Sequence, residues 1–168
     1  MNKLTKLAVC LAVSMGSAGF VSSVSAATAT TTVTVSASVI DSCTVSSDPL
    51  PFGNYNGISG AAVEVSATMS PTCTTGTSYA ISLDAGVGVG ATVNNRKLTG
   101  PLGAELMYAI YTDVVRSTVW GDGSNGTVQT FGLGNGATQP MQMYGRVPAE
   151  QNAPVGAYSD TITVTLTY

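Results

Sequence analysis

The sequence predicts an all-β fold of the sandwich or barrel kind, built from many short strands. Three observations carry this. Apolar residues recur with period two in short runs, Gly and Pro punctuate the chain throughout, and no stretch beyond the first 26 residues has helical spacing. The 168 residues include 19 glycines and 7 prolines, a density of breakers that short strands tolerate and helix interiors do not.

The first element is not part of that fold. Lys3 and Lys6 give a positive start, an apolar run extends from Leu7 to about Phe20, and Val24-Ser25-Ala26 places small residues at a cleavage site. This reads as a signal peptide over residues 1–26, too short and too interrupted for a bilayer span. Cys10 lies in a near-lipobox, L-A-V-C, but Val9 stands before it where a small residue belongs, so it is read as a passenger in the leader. No later apolar stretch is long enough to cross a bilayer, and one domain of ordinary size remains.

The next element, Thr28 to Ile40, alternates Val33, Val35, Ala37 and Val39 with Thr32, Thr34, Ser36 and Ser38. Such residues favour a pleated strand, yet no turn pairs this one with its successor, and no charge or proline guards its edges. An unguarded strand is tolerated most readily when it joins another sheet.

Further strands follow in order. Val63, Val65, Ala67 and Met69 form one that ends at Ser70-Pro71; Tyr79, Ile81 and Leu83 form the next, stopped by Asp84-Ala85-Gly86. After a Gly-rich stretch, Leu106, Tyr108 and Ile110 alternate. Val119-Trp120 leads into the hairpin loop Gly121–Gly126, and Val128, Thr130 and Leu133 flank another short run. Met141, Met143 and Gly145 precede a loop marked by Pro148 and Pro154. The last strand is the most regular: Tyr158, Asp160, Ile162, Val164, Leu166 and Tyr168 share one face, and Thr161, Thr163, Thr165 and Thr167 share the other.

Export sets the chemistry of the cysteines. Without Cys10, Cys43 and Cys73 are an even pair in an oxidising compartment, and a disulfide is expected. Two thiols without a histidine do not complete a zinc site. Charge is sparse: Arg96, Lys97, Arg116 and Arg146 stand against nine acidic residues beyond the leader. That balance excludes nucleic acid as a partner, and a surface so poor in charge suits a protein engaged by its neighbours.

Catalysis finds little support. The absence of histidine removes Ser-His-Asp, Cys-His and His-based metal chemistry together. Gly121-Asp122-Gly123-Ser124-Asn125-Gly126 spells G-x-G-x-x-G, but Thr127–Thr130 continues as strand where a dinucleotide site needs a helix. As a calcium loop it lacks ligands at Ser124 and Gly126, and Leu133 stands where the bidentate Glu belongs. Asn125-Gly126-Thr127 is a glycosylation sequon by spelling. Asp113, Asp122, Glu150 and Asp160 are glycosidase carboxylates by type only and read as loop and surface acids. Trp120 and nearby tyrosines allow a sugar-stacking platform, against the commoner role of strand packing. No enzyme activity, cofactor, metal or small-molecule substrate is expected.

Four segments together carry a family likeness: Ile40-Asp-Ser-Cys43-Thr-Val with Pro51-Phe-Gly-Asn-Tyr55; Tyr108-Ala-Ile-Tyr-Thr-Asp113; Trp120-Gly-Asp-Gly123; and Tyr144-Gly-Arg-Val-Pro148 running on through Pro154-Val-Gly-Ala-Tyr158-Ser-Asp160 to Tyr168. In these the chain resembles the spore coat protein U domain family, which includes Csu-type pilins of the archaic chaperone–usher pathway. The likeness covers essentially all of the chain beyond the leader.

The resemblance implies an incomplete immunoglobulin-like sandwich lacking its last strand, completed by a donor strand from a neighbouring subunit. It implies residues 27–41 as a donor extension and 42–168 as the pilin domain. Val33, Val35, Ala37 and Val39 would be the donor face, and Tyr158, Asp160, Ile162, Val164, Leu166 and Tyr168 one wall of the acceptor groove. The partners implied are neighbouring pilin subunits, a periplasmic chaperone and an outer-membrane usher. The expected role is a shaft or adaptor subunit of a surface fimbrium, exported through the periplasm and serving adhesion or biofilm growth. The alternatives are a secreted coat protein that builds no pilus and a carbohydrate-binding surface module.

Overall fold

A computed structural model describes residues 25–58 and 60–168; the expected leader and Cys10 lie almost wholly outside them. The chain divides into two units, residues 1–37 and 38–168. The described part of the first, 25–37, belongs to no ladder and is exposed throughout.

The second unit is all-β, with two sheets. Its strands are β1 (Cys43–Ser47), β2 (Val63–Cys73), β3 (Ser78–Leu83), β4 (Arg96–Thr99), β5 (Glu105–Tyr111), β6 (Thr130–Leu133), β7 (Met141–Val147) and β8 (Val164–Thr167). One sheet has the order β1-β2-β7-β5-β4 and the other β6-β3-β8, with every strand pair antiparallel. The sole helical turn among the described residues is the single 3₁₀ turn Pro101–Gly103.

Alternation makes the core. Tyr79, Ile81 and Leu83 from the smaller sheet meet Met69, Leu106, Tyr108, Ile110, Met143 and Val147 from the larger, all buried. Trp120 fills the centre at 1 % exposure, and its indole N–H donates to the Ile81 carbonyl at 3.1 Å. A surface sugar platform on Trp120 is thereby overturned: the ring is core, as an indole with a main-chain partner is well suited to be.

β2 runs through Ser70-Pro71 to Cys73, further than the proline led one to expect. The reason is local. Cys43 and Cys73 face each other at a Cα separation of 4.1 Å, the spacing of a non-hydrogen-bonded pair, and Pro71 lies two residues along opposite Val45. Its missing N–H is therefore not owed to β1. On the far side the β2–β7 ladder has ended at Met69–Met141, and the Pro71 carbonyl accepts from the Gln139 N–H at 2.9 Å.

β4 arises where turn residues implied only loop. Arg96 opens it with a side chain at 0 % exposure. Its Nε donates to the Asp84 carbonyl at 2.8 Å, and one terminal nitrogen donates to the carbonyls of Trp120 at 2.9 Å and Leu83 at 3.3 Å. A buried cation is tolerable when main-chain oxygens surround it, and here it ties β4 to the end of β3.

The loop Gly121–Gly126 is held by a turn from Ser124 to Thr127, with Asn125 and Gly126 both at positive φ and Thr127 N–H returning to the Ser124 carbonyl at 2.9 Å. It closes on a parallel bridge between Trp120 and Val128, not on the antiparallel hairpin expected.

Cys43 and Cys73 form the expected disulfide, closing a loop of 30 residues between β1 and β2. Reduction should lower the unfolding free energy by about 3–4 kcal/mol in the chain-entropy account, read as an earlier urea midpoint with reductant than without.

Candidate functional site: a groove beside the last strand

The two sheets are unequal, and the inequality makes the site. Five strands face three, so part of the inward face of β4, β5 and β7 is left to other cover. Two segments outside any ladder roof this part of the core instead, one from Asp48 to Ile58 and one from Asn152 to Ile162. Between them lies an open cleft of about 1280 Å³, floored by Leu98, Leu106, Tyr108, Ile110 and Met143. Clefts for small ligands run to roughly 300–1,000 Å³, so this one has the size of a groove for a length of chain.

The first roof segment is a wall that sequence reasoning did not assign. Phe52 packs edge-on against Tyr108 with ring centroids 5.7 Å apart. Leu50 and Phe52 approach β7 so closely that a Cβ on Gly145 would lie 2.7 Å and 2.9 Å from their tips, so any larger residue there would push this wall outward. The Tyr55 hydroxyl anchors the far end, donating to the Pro148 carbonyl at 3.0 Å and accepting from the Gln151 N–H at 2.8 Å. The Pro51–Tyr55 segment already quoted was the available signal, but it has no period-two pattern to reveal a wall.

The other wall is the C-terminal segment. The strand expected from Tyr158 to Tyr168 is a ladder only over Val164–Thr167, paired to β3. Its earlier half belongs to the opposite sheet: Ser159 bridges Thr99, with bonds of 2.8 and 3.1 Å. The segment therefore crosses from one sheet edge to the other, and a crossing chain cannot stay in one ladder. The expected face survives this. Tyr158, Asp160, Ile162, Val164 and Leu166 are half-buried, the threonines between them are exposed, and Tyr168 is exposed at 60 %.

β8 is the edge of its sheet. The Asp84 N–H donates to the Thr163 carbonyl at 3.1 Å, so the alternation of an antiparallel ladder turns the main-chain groups of Val164 and Leu166 away from β3, towards the groove. That row is a ready template for another strand.

Asp160 is drawn inward by chemistry. It accepts from the Tyr108 hydroxyl at 2.7 Å and from the Val87 N–H at 2.9 Å. Burial, this bond and the neighbouring negative charge hold the Tyr108 phenol above its ordinary range, so it remains a donor. Asp113 is engaged by the N–H groups of Ser117 and Thr118, and Asp122 by the hydroxyl and N–H of Ser124. These acids fasten turns. No group of three or more metal-ligating side chains occurs among the described residues.

The four expected donor residues belong to no ladder. Val33, Val35 and Val39 are 80 %, 89 % and 88 % exposed, and Ala37 is exposed as well.

A two-sheet sandwich with an open side and a final strand paired on one edge only is an incomplete immunoglobulin-like domain. The chain belongs to the Spore Coat Protein U domain family, which matches residues 29–165. It is 35 % identical over 157 residues to Protein U of Myxococcus xanthus, covering 85 % of this chain and 87 % of that protein. Its fold is similar, with a TM-score of 0.58 at 20 % identity, to a chain in the CsuC–CsuE chaperone–tip adhesion subunit pre-assembly complex from the archaic chaperone–usher Csu pili of Acinetobacter baumannii. That match covers 77 % of this chain and 40 % of the other.

The carboxyl of Asp84, just after β3, is shifted by its partners. Burial pushes the Asp84 carboxyl up, but the hydrogen bonds from Thr163 and Gly86 and the charge of Arg96 outweigh it, leaving a net value below the ordinary 3.8. Its stabilising effect is therefore present above that ordinary value and is lost as pH falls through the lower folded one. Hydrogen-exchange protection of the Thr163 N–H, bonded to Asp84 Oδ1 at 2.9 Å, should persist at the ordinary carboxylate value and fall only as pH drops below it, and Asp84→Asn should abolish that step.

Proposed function

We propose that this chain is a structural, non-catalytic subunit of a surface fibre assembled by the chaperone–usher route, in which residues 28–40 of one copy complete the groove of the next. The observation that carries the reading is the groove itself, open along the free edge of the final strand, in a chain whose own N-terminal segment alternates and is exposed. Family membership supports it, and so does a fold shared with a chain from a chaperone–pilus subunit complex.

The physics is β-strand addition. Main-chain bonds along Val164 and Leu166 would give affinity, and Val33, Val35, Ala37 and Val39 entering the groove would give register and specificity. Burying a valine side chain contributes roughly 1.5–3 kcal/mol, whereas Ala37 brings less and sets the weak point of the graft. Residues 1–26 would direct export, a periplasmic chaperone would occupy the groove before assembly, and the usher would exchange that strand for the donor. Fibres of this kind would serve adhesion or biofilm growth at the cell surface.

A second reading is favoured by the likeness to Protein U over most of both chains: a secreted coat protein that uses the same groove without forming a pilus. Negative-stain electron microscopy of cells making the protein with a chaperone and usher separates the two, since filaments are expected only for the first.

The donor role has a face-specific test. Val35→Asp should abolish polymer formation, because a carboxylate would enter the groove, whereas Thr34→Asp on the opposite face should leave most of it. Equal loss in both variants would reject the donor orientation. Appending a copy of residues 28–40 after Tyr168 should give a self-complemented monomer melting at least about 10 °C higher. An unchanged melting temperature would remove the role.

A further inference from the structure

The outward face of the smaller sheet differs in kind from the rest of the surface. Register places Ser78 and Ala80 of β3 beside Leu133 and Phe131 of β6, and Ala80 and Ser82 beside Thr167 and Thr165 of β8. Phe131 and Leu133 are 73 % and 58 % exposed. None of these residues is charged. The charges at the margins are occupied: Asp84 accepts from the N–H groups of Gly86 and Thr163, and Asp41 accepts from the Thr77 hydroxyl at 2.7 Å. The cations lie elsewhere, with Lys97 on β4, Arg146 on β7, and Arg116 paired to Glu64 on β2.

If a donor strand lies on the free edge of β8, which is the reading proposed above and on which this inference rests, its second face joins this surface. Thr32, Thr34, Ser36 and Ser38 would extend the rows of Thr163, Thr165 and Thr167. The completed subunit would then present four strands of hydroxyls and small side chains, bordered on one side by Phe131 and Leu133.

We propose that this face is a lateral contact between fibres, and that its occupant is the same face of a second copy. Two such surfaces meet without the repulsion that the chain's excess of acidic residues imposes elsewhere. A two-fold axis parallel to the strands sets the Phe131–Leu133 border of each copy over the threonine and serine rows of the other, so large side chains meet small ones. With six residues in β3, four each in β6 and β8, and about six in the donor, strands about 4.8 Å apart rising about 3.3 Å per residue cover roughly 320 Å². That is less than half of the roughly 800 Å² per partner that a stable complex buries. One contact therefore does not hold two free subunits together, whereas a fibre repeats it at every subunit and gains by multivalency.

The test uses fibres of the whole protein and residues remote from the groove. Wild-type fibres should pellet as bundles at low speed and appear side by side in electron micrographs, while the self-complemented monomer stays monomeric in sedimentation. Phe131→Lys and Phe131→Glu should each leave single fibres of unchanged length that no longer pellet. Mixing the two should restore bundles, and added salt should dissolve the mixed bundles again. Ser78→Lys and Ser78→Glu, one row away, should repeat the pattern and guard against a defect peculiar to position 131. Wild-type fibres that remain single, or charged variants that bundle like wild type, overturn the lateral contact. Absence of any wild-type fibre defeats the pilin reading beneath it, and that outcome is visible without any substitution.

Discussion

Everything in this molecule depends on the need to cover the inward face of a five-stranded sheet with a sheet of only three strands. Side chains from β4, β5 and β7 belong to the same core as those from β3, and apolar surface left in water costs roughly 25 cal/mol for each Å². The fold meets this demand with loop, not strand. Leu50, Phe52 and Tyr55 from one side and Tyr158 and Ile162 from the other lean over the gap without forming a ladder across it. The result is folded and open at once, and a segment that supplies both apolar side chains and main-chain partners has two separate reasons to bind there.

Fixtures at the ends of the strands keep the open sandwich from closing or spreading. The disulfide holds the register of β1 on β2. Arg96 gathers carbonyls from Leu83, Asp84 and Trp120, and so fixes β4 relative to β3. The hydrogen bond from Tyr108 to Asp160 joins the groove floor to its wall. On the outer face Glu64 receives both Arg116 and Arg146, linking the turn after β5 to β2 and β7. Each fixture is local, yet together they leave the free edge of β8 as the part of the groove with unmet hydrogen bonds.

Residues with strict alternation were legible in the sequence. Tyr79-Ile81-Leu83 and Leu106-Tyr108-Ile110 emerge as buried strand faces because period two is all that such a strand needs. Three features were not legible, each for a different cause. β4 begins with a buried arginine, and a guanidinium reads as surface until the carbonyls around it are known. The wall from Asp48 to Ile58 follows no period, since its shape is set by distant partners, Gly145 under Leu50 and Phe52, and Pro148 and Gln151 at the Tyr55 hydroxyl. The terminal segment was read as one strand because its alternation is unbroken, but alternation records which side chains face inward and not which sheet pairs with them. The inward face is as expected, whereas the single unbroken strand is not.

Cys43 has a consequence that concerns force. It stands three residues beyond Ile40, the end of the alternating N-terminal segment, and is bonded to the last residue of β2. In a fibre of linked copies, tension arriving through that segment passes by a covalent route into the interior of the larger sheet before reaching any hydrogen bond of β1. The edge strand is thus spared from peeling, and the pull is delivered to β2, which is paired on both sides. A stretched fibre of such units would load the doubly paired β2 of each domain ahead of its edge strand.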